Sequence, residues 1–221
     1  MESRFPLIEL HLHLEGCLRP ARARRLWRRR PDLPPPPAEL PSGEVWTFQG
    51  LDGFLRAFGW AGRLLDGPGP YGDLLQDTAA FLEVEGVIHA ELFLAVGMMR
   101  RFGHDPRPIV EHLARLAEAR ERAGGVALYF VLDAVRQWGP EEAEAVLEDA
   151  LALRHARVVG VGIGGDETAR PAADFASFYG RARRAGLGTS LHAGEGTTPQ
   201  AVAQALDLGV DRIGHGIAAV G

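Results

Sequence analysis

Six stretches of the chain are apolar and β-branched or alternate apolar with polar residues: 5–14, 87–96, 126–133, 157–164, 187–192 and 210–215. Runs of this length and make-up predict strands. Between most of them the apolar residues recur at helical spacing. Residues 71–85 carry Leu74, Leu75, Ala79, Leu82 and Val84 after the breaker Gly67-Pro68-Gly69-Pro70. Residues 108–123 place Ile109, Val110, Leu113, Leu116 and Ala117 on one helical face. Residues 140–155 open with Pro140, Glu141 and Glu142, as helix starts do. Helices over 172–185 and 198–208 complete the series, with Asp174 and Thr198 as candidate caps.

From residue 87 onward strand alternates with helix, which predicts parallel strands joined by right-handed crossovers. An open doubly wound sheet and a closed (β/α)8 barrel both satisfy that order. Residues 31–70 depart from it. They hold Pro34-Pro35-Pro36-Pro37 and the aromatics Trp46, Phe48, Phe54, Phe58 and Trp60. This segment reads as an insertion after the first strand with one or two short helices. It serves either as a lid or as added core packing on the flank.

Composition narrows the class. Of 221 residues 46% are apolar, enough for a sizeable core. Every apolar stretch is interrupted by charge or glycine, so no membrane span is expected. Met1 to Pro6 lacks the basic-then-apolar order of a secretory signal, and the single Cys17 fits a reducing cytoplasm. The net charge of −5 argues against nucleic acid as a partner. Residues 1–30 nevertheless carry eight arginines against Glu2, Glu9 and Glu15. The run Arg22 to Arg30 is a candidate phosphate patch, but a solvated helix face is the simpler reading. All 24 basic residues are arginine, which leaves no Schiff-base lysine, no P-loop lysine and no lysine carbamate bridging two metals.

The candidate chemistry sits at strand ends. In Glu9-Leu10-His11-Leu12-His13-Leu14-Glu15, alternation sends His11 and His13 to one face. A half-exposed strand with a solvated polar face is the plain alternative. In a parallel sheet covered on both sides, however, buried imidazoles need a partner, and a metal is one. His192-Ala193-Gly194-Glu195 ends the fifth run, pairing a histidine with a carboxylate. Ile213-Gly214-His215-Gly216 ends the sixth, with glycines that allow close backbone approach. Gly160, Gly162 and Gly165 match the dinucleotide spacing. Asp166-Glu167 follows at once, though, and would repel phosphate, so a loop facing a neutral ring suits that segment better. Asp133 ends the third run, where it lines the pocket or pairs with an arginine. His89, His104, His112 and His155 lack spaced partners and read as structural or exposed.

Taken in order, these segments resemble the adenosine deaminase family of metal-dependent hydrolases. Glu9 to Gly16 is similar to its first-strand zinc motif, Gly164-Gly165-Asp166-Glu167 to its fourth-strand glycine loop, and Leu191 to Glu195 and Arg212 to Gly216 to its fifth- and sixth-strand motifs. The resemblance implies a (β/α)8 TIM barrel, with about six of the eight strands present in a single incomplete catalytic domain over 1–221. It implies one zinc held by His11, His13 and His192. Glu195 would protonate the ring nitrogen beside the attacked carbon, and His215 would orient or deprotonate the attacking water. His13, Glu15 and Gly165 would contact a purine nucleoside substrate. Glu15 stands where nucleoside members carry the shorter Asp, near the ribose. Zinc gives hydroxide at neutral pH, and a proton donated to the ring lets the amino-bearing carbon accept it, so that ammonia leaves.

Three phrases look like the branch that deaminates aminodeoxyfutalosine, a menaquinone precursor: Ala90 to Gly97, Asp133 to Gln137 and Gly162 to Glu167. Adenosine and adenine are the other candidate substrates. The family's Asp-Asp pair at the end of the eighth strand has no counterpart here. A fragment of a longer protein is therefore expected, the alternative being a non-catalytic descendant that binds metal or purine.

Overall fold

The computed structural model describes residues 5–37 and 45–220. Part of the start read for a signal, and part of the 31–70 segment, lie outside the described residues. Six strands form one parallel sheet in chain order: β1 (Leu7–His13), β2 (Val87–Leu94), β3 (Ala127–Val135), β4 (Val158–Gly164), β5 (Gly188–Ala193) and β6 (Arg212–His215). The sheet curls into a nearly closed barrel. Arg212 of β6 reaches Glu91 of β2 across its interior at 2.5 Å, and the His11 and His215 rings of β1 and β6 lie 4.9 Å apart. The open doubly wound alternative is thereby set aside.

Between β1 and β2 lie α1 (Pro20–Trp27), α2 (Gly50–Gly62) and α3 (Pro68–Val84). The later helices are α4 (Val96–Arg101), α5 (Pro106–Arg122), α6 (Pro140–Ala152), α7 (Ala176–Arg184) and α8 (Pro199–Asp207). Proline occupies the first turn of α1, α3, α5, α6 and α8, where its missing N–H costs nothing and its fixed φ favours the helix. Asp105 caps α5, its carboxylate accepting the Arg107 N–H at 3.0 Å. Neither proposed cap works through its side chain. Thr198 sits at the start of α8 without a capping bond, and Asp174 lies in a short 3-10 turn, Ala172–Phe175, paired with Arg170 at 3.6 Å.

The apolar run 87–96 proves to be two elements. β2 stops at Leu94 and α4 begins at Val96. Val96, Gly97, Met98 and Met99 are buried, so the hydrophobic pattern runs unbroken through the junction and hides it. The core lies between strands and helices, where Leu92, Phe130, Leu132 and Ile163 meet Leu113, Leu147 and Tyr179. The central strands β3 and β4 are buried almost throughout and read as near-continuous apolar or glycine runs.

The basic run is held by acids. Arg22 of α1 pairs with Asp73 at 3.1 Å and Asp77 at 2.5 Å, and Arg30 pairs with Asp32 at 2.8 Å and Asp66 at 2.9 Å. Among the described residues no helix is long and apolar enough to cross a membrane.

Candidate active site

Strand alternation carries His11 and His13 to the inside of the barrel, their ring centroids 5.5 Å apart. β5 delivers His192 between them. Its Nε2 lies 3.0 Å from His11 Nε2 and 3.0 Å from His13 Nε2, and the ligand atoms of the three lie within 4.8 Å of one another. His192 Nδ1 lies 3.0 Å from the Ile163 carbonyl, which can only accept. Nδ1 therefore carries the proton, and the Nε2 lone pair faces the other two rings.

Burial, reinforced by the neighbouring His11 and His215, pushes His192 down to about 3. Burial and the adjacent imidazoles also hold His13 well below the usual histidine range, and burial lowers His11. Three neutral rings whose nitrogens converge suit a cation. In a tetrahedral site with metal–nitrogen bonds of about 2.0–2.1 Å, ligand nitrogens lie roughly 3.3 Å apart. The donor set and its spacing fit such an ion.

Glycines make the room. A Cβ on Gly214, which pairs with His192 across β5 and β6, would stand 2.8 Å from His11 Cε1. A Cβ on Gly164 would stand 3.3 Å from the His192 ring and 3.0 Å from Asp133. Gly160, Gly162 and Gly164 belong to β4, within the strand expected over 157–164, and Gly165 turns out of the strand at φ +99° into the loop that follows and lines the cavity.

Glu195 and His215 complete the cluster. The carboxylate Oε2 approaches His215 Nε2 to 3.5 Å, and the His215 ring centroid lies 5.3 Å from that of His192. His215 itself takes the left-handed φ of +65°, uncommon for a side chain with Cβ, and Gly216 follows at +63°. This turn ends β6.

One expected contact is placed differently, and Asp133 takes one of its two expected places. Glu15 does not line the cavity. It is buried behind it, with Oε1 accepting from the Tyr71 hydroxyl and the Ala95 N–H, each at 3.0 Å. Burial raises its carboxyl to about 7 against those bonds. Asp133 does line the cavity. Its Oδ2 stands 4.0 Å from His13 Nδ1, and its buried Oδ1 has no hydrogen-bond partner among the described residues. Burial, then the charge of Glu15, raises it well above the usual carboxylate range. His89 and His155 lie apart from the cluster, near Glu91 at 3.8 Å and Glu111 at 3.9 Å.

Sequence reasoning missed Glu167. Its carboxylate accepts the N–H groups of Gly194 and Glu195, each at 2.7 Å, that of Gly196 at 3.4 Å, and the Thr197 hydroxyl at 2.6 Å. An acidic residue after a glycine run carries no signal of this, because its partners lie about thirty residues on.

The histidines open into a cavity of about 700 Å³, within the range of small-molecule sites. Part of its wall comes from α2, with Phe54, Phe58 and Trp60, and Phe58 stands edge-on to the His13 ring at 6.0 Å. The segment 31–70 thus contributes both to the core, through Trp60, and to the cavity.

Known proteins resemble this chain in sequence and in fold. The chain is 33% identical over 216 residues to the adenine deaminase of Chelativorans sp. (strain BNC1), covering 96% of this chain and 65% of that protein. It is 32% identical over 226 residues to the adenosine deaminase of Edwardsiella ictaluri (strain 93-146), covering 100% and 68%. The crystal structure of adenine deaminase from Arthrobacter aurescens superposes with a TM-score of 0.86 at 29% identity, over 97% of this chain and 65% of that one. An amidohydrolase from Burkholderia ambifaria with bound Zn gives 0.85 at 29% identity, over 98% and 60%. The chain therefore spans slightly less than two thirds of the adenine deaminase and of both solved structures. The family model described as adenosine deaminase matches residues 6–221. With that match running through all six strands and the histidine cluster they carry, the chain belongs to the adenosine deaminase family.

Proposed function

We propose that this chain supplies the metal-binding and acid–base groups of an aminohydrolase that removes the exocyclic amino group of an adenine-containing compound as ammonia. The observation that carries this reading is the convergence of His11, His13 and His192 beside the Glu195–His215 pair, at one end of one cavity. His11, His13 and His192 would hold a single zinc through Nε2. When bound, zinc supplies Lewis-acid activation of water at neutral pH.

The side chains around it divide the remaining work. Glu195 donates a proton to the ring nitrogen beside the attacked carbon, so that the ring accepts the incoming electron pair. His215, 3.5 Å from Glu195, orients the attacking water and takes its proton. Gly165 offers its backbone N–H to the purine edge. His13 borders the substrate as well as the metal. The aromatic face of α2 covers the ring and keeps bulk water out, which gives the 31–70 segment its lid-like role.

Adenine is the first substrate to test. Relatives at 33% and 35% identity are adenine deaminases, and Glu15 is committed to Tyr71 and Ala95 and not to the cavity. Adenosine and aminodeoxyfutalosine are the nucleoside candidates. Metal analysis of the whole protein, with ultraviolet and ammonia assays on these three compounds, tests the reading. Bound zinc with turnover of one of them is expected. Absence of both metal and turnover would leave the non-catalytic alternative.

A further inference from the structure

We infer that Glu167 is the positioning residue that sets the catalytic loop after β5: its carboxylate clamps the backbone of Gly194–Thr197 and so fixes where Glu195 presents its acid. This rests on the role proposed above for Glu195.

The geometry is specific. One oxygen, Oε1, takes the amides of Glu195 and Gly196, and the other, Oε2, takes the Gly194 amide and the Thr197 hydroxyl. All four are donors, so the site is built for an anion with acceptors on both arms. Glu167 is buried, and its own backbone is held in turn. The buried Arg136 donates to the Glu167 carbonyl at 3.1 Å and to the His192 carbonyl at 3.4 Å. Gln137 Oε1 accepts the Asp166 N–H at 3.0 Å, and Asp166 accepts the Thr168 N–H at 2.8 Å. The loop after β4 is thus pinned to the turn that follows β3, Arg136–Trp138, and through Glu167 the loop after β5 is pinned to it.

The same short loop carries Gly165, which lines the cavity. Glu167 therefore ties the backbone that would meet the ring to the side chain that would protonate it. Burial acts to raise the Glu167 carboxyl, but the Thr197 hydroxyl and the three amides outweigh burial and hold it below the ordinary glutamate value. The anion is the form the loop requires. The three metal-ligating histidines take no bond from this carboxylate, so the clamp and the metal site are separable.

Glu167→Gln in the whole protein tests the inference. An amide keeps the size and one acceptor but turns a donor towards one of the two arms, so at least one loop amide loses its bond. We expect zinc content and KM for adenine near wild type and kcat lower by about 10- to 100-fold, the scale of a reacting group displaced by a fraction of an ångström to 1 Å. Thr197→Val, which removes only the hydroxyl bond, should lower kcat by only a few-fold. The deciding readout is coupling. If Glu167 acts through Glu195, the double variant Glu167→Gln/Glu195→Gln should be no slower than Glu195→Gln alone. Independent, multiplying losses in the double variant would overturn the inference, as would an unchanged kcat in Glu167→Gln. If the wild-type protein turns over no adenine compound, the functional reading fails by itself. Hydrogen exchange then still judges the clamp, with faster exchange of the Gly194–Gly196 amides in Glu167→Gln supporting it and wild-type rates overturning it.

Discussion

His192 donates its Nδ1–H to the carbonyl of Ile163 at 3.0 Å, and this bond decides which nitrogen faces His11 and His13. The carbonyl belongs to β4 and the imidazole to β5, at positions one residue out of step in the strand register. Sheet pairing therefore sets the tautomer. A ring oriented this way holds its lone pair in place before any cation arrives, which lowers the reorganisation that binding requires.

Gly214→Ala offers a steric probe of that cluster. The new methyl would stand 2.8 Å from His11 Cε1, and Gly214 does not use a left-handed φ, so the backbone itself tolerates alanine. We expect zinc affinity to fall by at least tenfold and stability by about 1–3 kcal/mol. Metal titration and urea unfolding measure the two effects separately.

Glu195→Gln should leave zinc bound, because the carboxylate is not among the converging ligands. If Glu195 is the proton donor proposed above, its loss should lower kcat by about 10²–10⁴-fold. Steady-state kinetics beside metal analysis decides the point, and a loss of metal equal to the loss of activity would speak against the assigned role.

Phe58→Ala removes the aromatic edge that meets the His13 ring at 6.0 Å in the cavity wall. Ring stacking on an aromatic side chain is worth about 1–3 kcal/mol per base, so KM should rise by about tenfold or more. A smaller change in kcat is expected. An unaltered KM would place the substrate away from α2.

Tyr71→Phe strips one of the two donors from Glu15 Oε1, leaving only the Ala95 N–H. Removing a partner from a buried carboxyl should cost about 1–3 kcal/mol of stability. The preference between adenine and adenosine should not move, because Glu15 stands outside the cavity. A changed preference would return Glu15 to the substrate.

Glu167 predicts a pH dependence of stability. Its folded pKa is depressed, so the native state binds this proton less readily than the unfolded chain does. The contribution is fully present above about pH 5 and is lost as pH falls through the ordinary glutamate range to the lowered native value. Thermal melting of wild type and Glu167→Gln should accordingly converge as the medium becomes acid enough to protonate the lowered native carboxyl, with the wild type higher at neutral pH. A gap that stays constant through the ordinary glutamate range and into strong acid would contradict the assignment.

Strand positions were legible because alternation and β-branching are local. The start of α6 was legible because Pro140 announces it, while α5 was read two residues late because Pro106, its first residue, carries no apolar periodicity. His11, His13, His192 and His215 were legible as a set because strand ends collect at one end of a parallel barrel. The junction of β2 and α4 was not, since burial on both sides of Ala95 erases the change of period. The glycines of β4 fell within the expected strand, but the neighbours that need their space, Asp133 of β3 and His192 of β5, were not legible, because they come from other strands.

What the sequence by itself determined is the order of the elements and the donors available at their ends. Both follow from short-range rules: the two-residue period of a strand, the turn of a helix, the chemistry of imidazole and carboxylate. Only the tertiary structure decided which groups meet. Glu15, near the histidines in sequence, is drawn behind the cavity by Tyr71, 56 residues on, and Ala95, 80 residues on. Glu167, remote from Glu195, becomes its anchor because parallel pairing of β4 with β5 sets their loops side by side. Hydrogen bonds of this kind join residues distant along the chain, and no local pattern records them.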